Sequence, residues 1–107
     1  MKYLVLIIAC FSQVVMAAET AKAKIDEIRI QTSSSNGVAY YFMNYSGWTV
    51  NDAACQAAQY AYVLENDPGS QALLSLAMAS KATGGEVKFL GDCQGANYIR
   101  INYMHQY

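Results

Sequence analysis

Residues Asp67–Met104 read DPGSQALLSLAMASKATGGEVKFLGDCQGANYIRINYM, and this stretch carries the clearest structural pattern in the chain. Asp67 and Pro68 form a helix-start pair. An aspartate at the N-cap accepts first-turn N–H groups, and a proline at the first helical position gives up an N–H that has no partner there. Leu73, Leu76, Ala77 and Ser80 recur at helical spacing, with Leu74, Met78 and Ala82 beside them, so the spacing predicts a helix over Gln71–Thr83. Gly84-Gly85 supplies the positive-φ residue that stops it. Glu86–Leu90 and Asn97–Met104 then alternate as two strands facing each other across Gly91–Ala96. Val87 and Phe89 share one face of the first, and Ile99, Ile101 and Tyr103 share one face of the second. The Leu/Met stripe is a packing face at this spacing, not a cofactor box.

Three strands are expected before the helix. Lys24–Gln31 places Ile28 and Ile30 on one face and Glu27 and Arg29 on the other. Thr32–Gly37 is a turn cluster ending in Asn-Gly, the strongest short hairpin signal. Val38–Asn44 is apolar on both faces, with Val38, Tyr40 and Phe42 against Tyr41 and Met43. Gln59–Glu65 sets Tyr60, Tyr62 and Leu64 opposite Ala61 and Val63. Five strands with one helix between the third and fourth match an OB-fold, a five-stranded Greek-key barrel whose helix plugs one end. Tyr45–Asp52 reads as a loop, and Ala18–Lys24 as a short solvated lead-in.

Met1–Ala17 has the pattern of a secretory signal peptide: Lys2, an apolar run over Tyr3–Phe11, and Val15-Met16-Ala17 at the cleavage point. The run is too short to span a bilayer, so no transmembrane segment is expected. A rival reading makes Ile8-Ala9-Cys10 a lipoprotein site with Cys10 acylated. Cleavage after Ala17 leaves residues 18–107 as a single domain, with six basic and eight acidic residues and a net charge of −2. A mildly acidic domain without a basic stripe is a poor partner for nucleic acid or anionic lipid. A core of this size is marginal without reinforcement. Cys55 and Cys93 remain, 38 positions apart, and in a secreted or periplasmic setting they allow one intramolecular disulfide. Closing such a loop contributes about 3–4 kcal/mol.

The leader, the hairpin with its Tyr-Tyr-Phe strand (Tyr40-Tyr41-Phe42), and the stretch ALLSLAMASKATGGEVKFLGDC (Ala72–Cys93) resemble the B subunits of secreted bacterial AB-type toxins, the subtilase-cytotoxin and pertussis-like members above all. Thr83–Leu90, TGGEVKFL, is similar to the Gly-rich turn and following strand of those subunits. The resemblance implies a homo-oligomeric ring, a pentamer, that binds cell-surface glycans and carries a separate enzymatic A-type subunit. This chain is shorter after the fourth strand, and Lys22–Asp26 lacks the serine with which those subunits recognise sialic acid. No family site residue is therefore carried over.

Catalytic chemistry finds few candidates. His105 is the single histidine and is the third residue from the end of the sequence, where a solvated role is the ordinary one. Asp26/Glu27 and Glu65/Asp67 fall at strand faces or caps, not across a cleft as glycoside hydrolysis requires. Gly84-Gly85 follows a helix and so cannot cradle a phosphate at a helix start. Two thiols with one distant histidine make no zinc site. No enzymatic activity, cofactor or metal is expected. The candidate glycan-binding residues are Tyr41, Asn44, Tyr45, Trp48, Asn51 and Asp52, which combine flat stacking surfaces with directed hydrogen-bonding groups. The competing role for Trp48 is packing beneath its own loop. Eight tyrosines beyond the leader also suit an oligomer interface. The alternative function is a stand-alone periplasmic OB protein that binds another envelope protein.

Overall fold

A computed structural model describes residues 17–107, so the expected signal segment up to Met16, with Cys10, lies outside the described residues. The domain is mainly β with a single α-helix among the described residues. Its strands are β1 (Ala18–Glu19), β2 (Ala23–Lys24), β3 (Glu27–Ser34), β4 (Gly37–Thr49), β5 (Ala57–Leu64), β6 (Glu86–Cys93) and β7 (Tyr98–Gln106). The helix, α1 (Ser70–Thr83), lies between β5 and β6. One sheet runs β1-β6-β7-β5-β4-β3, with β2 also pairing β6. Neighbours are antiparallel except β5 and β7, which run parallel because α1 and β6 intervene as the crossover.

The alternation predicted for the strands sets their inner face. Phe42 from β4, Ala61 and Val63 from β5, Val87 and Phe89 from β6, and Ile99 and Ile101 from β7 are all buried. Phe42 stacks on Phe89 at 5.6 Å, and Trp48 meets the same Phe89 edge-on at 4.9 Å. The helix adds Ala77 and Ser80 to this core, on the face read from the sequence, while Leu73 and Leu74 pack at its margin. Small residues at the contact let the helix approach the sheet closely. Gly84 closes α1 in the left-handed conformation (φ 69°), and the N–H of Gly85 returns to the Ser80 carbonyl.

The helix start departs from expectation. Gly69, also left-handed, is the N-cap, and no side chain caps the first turn. The Asp67 carboxylate instead accepts the Leu64 N–H at 3.0 Å and pairs with the Arg100 guanidinium. A charge-assisted pair to a neighbouring strand outweighs a local cap. Arg100 thereby holds the Asp67 carboxyl below the usual aspartate range.

The lead-in is not solvated. Ala18 and Thr20 are buried, and the Thr20 N–H donates to the Phe89 carbonyl at 2.8 Å while its hydroxyl accepts the Phe89 N–H at 2.9 Å. Asn51 ties the same segment from the other side: its side-chain oxygen accepts the Glu19 N–H, and its own N–H donates to the Glu19 carbonyl. Residues 18–24 thus bind β6, and after Ile25 and Asp26 the chain enters β3 and binds β4. Both ends of the sheet path belong to one continuous stretch.

Cys55 closes a short 3-10 turn after β4, and Cys93 ends β6. Their Cα atoms are 5.5 Å apart, in disulfide-compatible geometry. Among the described residues no helix is long and apolar enough to cross a membrane.

Candidate functional site

The segment expected to form a binding loop is mostly strand. β4 continues to Thr49, with its pairing to β5 shifted between Met43 and Trp48, and Gly47 (φ 83°) takes the irregularity. This shift turns Trp48 inward. Its ring is 0% exposed and its Nε1–H donates to the Phe42 carbonyl at 3.0 Å, so Trp48 packs and presents no face to a ligand. Its neighbours are committed as well. Asn44 donates to the Lys24 carbonyl and accepts the Ser46 N–H, and Asp52 accepts the Ala54 N–H to cap the 3-10 turn. Asn51 holds the lead-in. Tyr45 is 70% exposed, but its hydroxyl donates to Glu27 and its N–H to Asp26. These five residues are spread through a structural network and are not gathered around a hollow.

Tyr41 belongs to a different group. The inward alternation of β4, β5 and β7 leaves Tyr41, Tyr60, Tyr62 and Tyr98 on the outer face. Register brings them together: Tyr41 lies opposite Tyr62 across β4 and β5, and Tyr60 lies opposite Tyr98 across β5 and β7. Their ring centroids form a closed square. Tyr41 is 5.9 Å from Tyr60 and 5.8 Å from Tyr62; Tyr98 is 5.1 Å from Tyr60, stacked at 17°, and 6.0 Å from Tyr62, edge-on. These spacings are those of favourable aromatic pairs. Burial raises the Tyr41 and Tyr62 hydroxyl pKa values, so both hold their protons as donors through neutral pH.

Two hollows flank this square. One of about 370 Å³ is lined by Arg29, Ile30, Gln31, Tyr41, Tyr60 and Tyr98. The other, about 470 Å³, lies against Tyr62 and reaches the Ser33–Asn36 hairpin tip and Gln94 of the β6–β7 turn. Gln31, Tyr41 and Tyr98 line both. The Tyr41 hydroxyl donates to Gln31 at 3.1 Å. Arg29, the ionised group in the lining, is spent on Glu27, whose carboxyl is held low by the Tyr45 hydrogen bond first and Arg29 second.

The sequence held a signal for this surface in the i, i+2 pair Tyr60/Tyr62 on a strand whose other face is Ala and Val. Tyr98 joins it only through a parallel register that no local pattern encodes. His105 is exposed on β7, between Tyr103 at 4.9 Å and Tyr107 at 6.2 Å. Among the described residues no group of three or more His, Cys, Asp or Glu side chains is placed to hold a metal. Comparison of the chain with protein-family models, curated proteins and solved structures found no match to any of them.

Proposed function

We propose that this chain is a secreted, non-catalytic binding domain of OB type whose tyrosine face takes carbohydrate. The observation that carries this reading is the four-ring cluster between two hairpin tips, surrounded by amide and hydroxyl groups. Flat rings match the apolar faces of pyranoses, and the polar rim matches their hydroxyls. The OB assignment draws support from a lead-in that contacts β6 before its continuation, β3, contacts β4, as a closed five-stranded barrel requires. Export draws support from the leader and from the Cys55–Cys93 pair, which suits an oxidising compartment.

In this reading the domain is the recognition subunit of a larger assembly, a homo-oligomer that delivers or tethers an enzymatic partner. The alternative, an envelope protein that binds another protein, is favoured by one observation: Tyr103 on β7 and Tyr107 just beyond its end are both more than half exposed, and neither lines the two hollows. Light scattering of the secreted product together with a glycan array separates the two. An oligomer that binds glycans is expected, and Tyr98→Ala should lose binding while keeping a cooperative thermal transition. A monomer that binds no glycan at high concentration removes it.

A further inference from the structure

The geometry of the two hollows narrows the ligand, on the premise that the tyrosine face binds carbohydrate. They lie on opposite sides of the Tyr41–Tyr98 diagonal, one toward Tyr60 and one toward Tyr62, and both rings of the diagonal line both hollows. A site built for a single terminal residue closes around it on all sides. Here Tyr41 and Tyr98 form a saddle with space on either flank. The first hollow begins near Ile30 on β3, and the second runs out to the Ser33–Asn36 tip and Gln94. Along β5, Tyr60 to Leu64 spans about 14 Å at strand rise, longer than one sugar ring.

Charge narrows it further. Apart from Arg29 the lining consists of tyrosine, serine, asparagine, glutamine, leucine and isoleucine, and Arg29 is neutralised by Glu27. An anionic ligand finds no unpaired cation to replace its hydration, and leaving a buried charge unpaired is costly. The same fact argues against single-stranded nucleic acid. Such a strand also stacks on aromatic platforms, but it needs a positive groove to follow its phosphates.

We propose that the face takes the interior of a neutral, linear oligosaccharide laid over the Tyr41–Tyr98 saddle, with sugar rings in both hollows. Recognition is of chain, not of chain end. Stacking on the saddle supplies most of the contact. Gln31, Gln94 and the serine-rich tip supply hydrogen bonds to hydroxyls on successive rings.

The test is isothermal titration calorimetry of the full secreted protein against malto-, cello- and chito-oligosaccharides from monomer to hexamer, with sialyllactose and oligogalacturonides as acidic probes. One neutral series should bind, with affinity rising about tenfold or more between its monomer and its longer members. Gln94→Ala, at an exposed turn where the fold does not depend on the side chain, should weaken the hexamer several-fold and leave the midpoint of unfolding unchanged. Tyr60→Ala should weaken it from the opposite hollow. Affinity that is flat with length, or an acidic probe that binds tighter than every neutral one, overturns this inference and leaves carbohydrate binding standing. Binding of none of these probes overturns both.

Discussion

Replacing Trp48 with alanine should unfold the domain and not merely silence a binding site. The ring is fully buried, meets Phe89 at 4.9 Å, and caps the Phe42 carbonyl with its Nε1–H. Truncating a buried Trp or Phe to alanine costs about 3–5 kcal/mol through lost transfer energy and the cavity left behind. Leaving a buried carbonyl without its donor adds about 1–3 kcal/mol. The combined loss, about 4–8 kcal/mol, is comparable with the whole stability of a small domain, about 5–15 kcal/mol. Because Trp48 is the single tryptophan, its fluorescence in the parent protein reports the core directly. Emission should be blue-shifted and shielded from acrylamide until unfolding begins. Urea unfolding followed by far-UV circular dichroism then compares parent and Trp48→Ala. A variant that stays folded within about 1 kcal/mol of the parent would show that Trp48 is not a core residue, since a loss that small is closer to the roughly ±0.5 kcal/mol usual for surface substitutions.

Three further outcomes follow from other parts of the fold. Changing both Cys55 and Cys93 to alanine should lower stability by about 3–4 kcal/mol, the loop-closure value for 38 residues, and reducing agent should move the parent's midpoint but not the variant's. Gly91→Ala should be severely destabilising in thermal melts, because a Cβ there would lie 1.8 Å from the Arg100 carbonyl oxygen, within a paired strand that cannot move aside. Asp67 should make stability acid-sensitive. Its carboxyl pKa is lowered in the fold, chiefly by the Arg100 hydrogen bond, so its contribution is complete above the ordinary value of 3.8 and is lost as pH falls through the lower folded value. Urea midpoints of the parent and Asp67→Asn should therefore differ at neutral pH and converge below pH 3.8, whereas a constant gap would contradict the ion pair's role.

The elements legible in the sequence were those whose signals are local. The Leu73–Ser80 face and the Gly84 stop defined the helix, and alternation defined the long strands, because each pattern repeats within a few residues of itself. The parts that escaped depend on distant partners. Ala18 and Thr20 are too small and too few to advertise a buried strand, yet Phe89 holds Thr20 on one side while Asn51 holds the intervening Glu19 on the other. Asp67 stands in a textually perfect cap position, but Arg100, 33 residues away, claims its carboxylate. Tyr45–Asp52 reads as a loop, and the chain uses its first residues as a strand irregularity that turns Trp48 inward. The candidate site was legible in kind, as aromatic rings with polar neighbours, and at Tyr41. Its remaining members, Tyr60, Tyr62 and Tyr98, read as strand residues until the parallel pairing of β5 with β7 set them side by side.

A ligand of this protein is expected at the tyrosine square. Backbone amide spectra of isotope-labelled protein, recorded through a titration with the tightest-binding glycan of the array, locate the contact residue by residue. Shifts are expected at Gln31, Tyr41, Tyr60, Tyr62, Gln94 and Tyr98, with Trp48 and its neighbours still. Shifts centred on Asn44–Asp52, or none at saturating glycan, would contradict a site at the square.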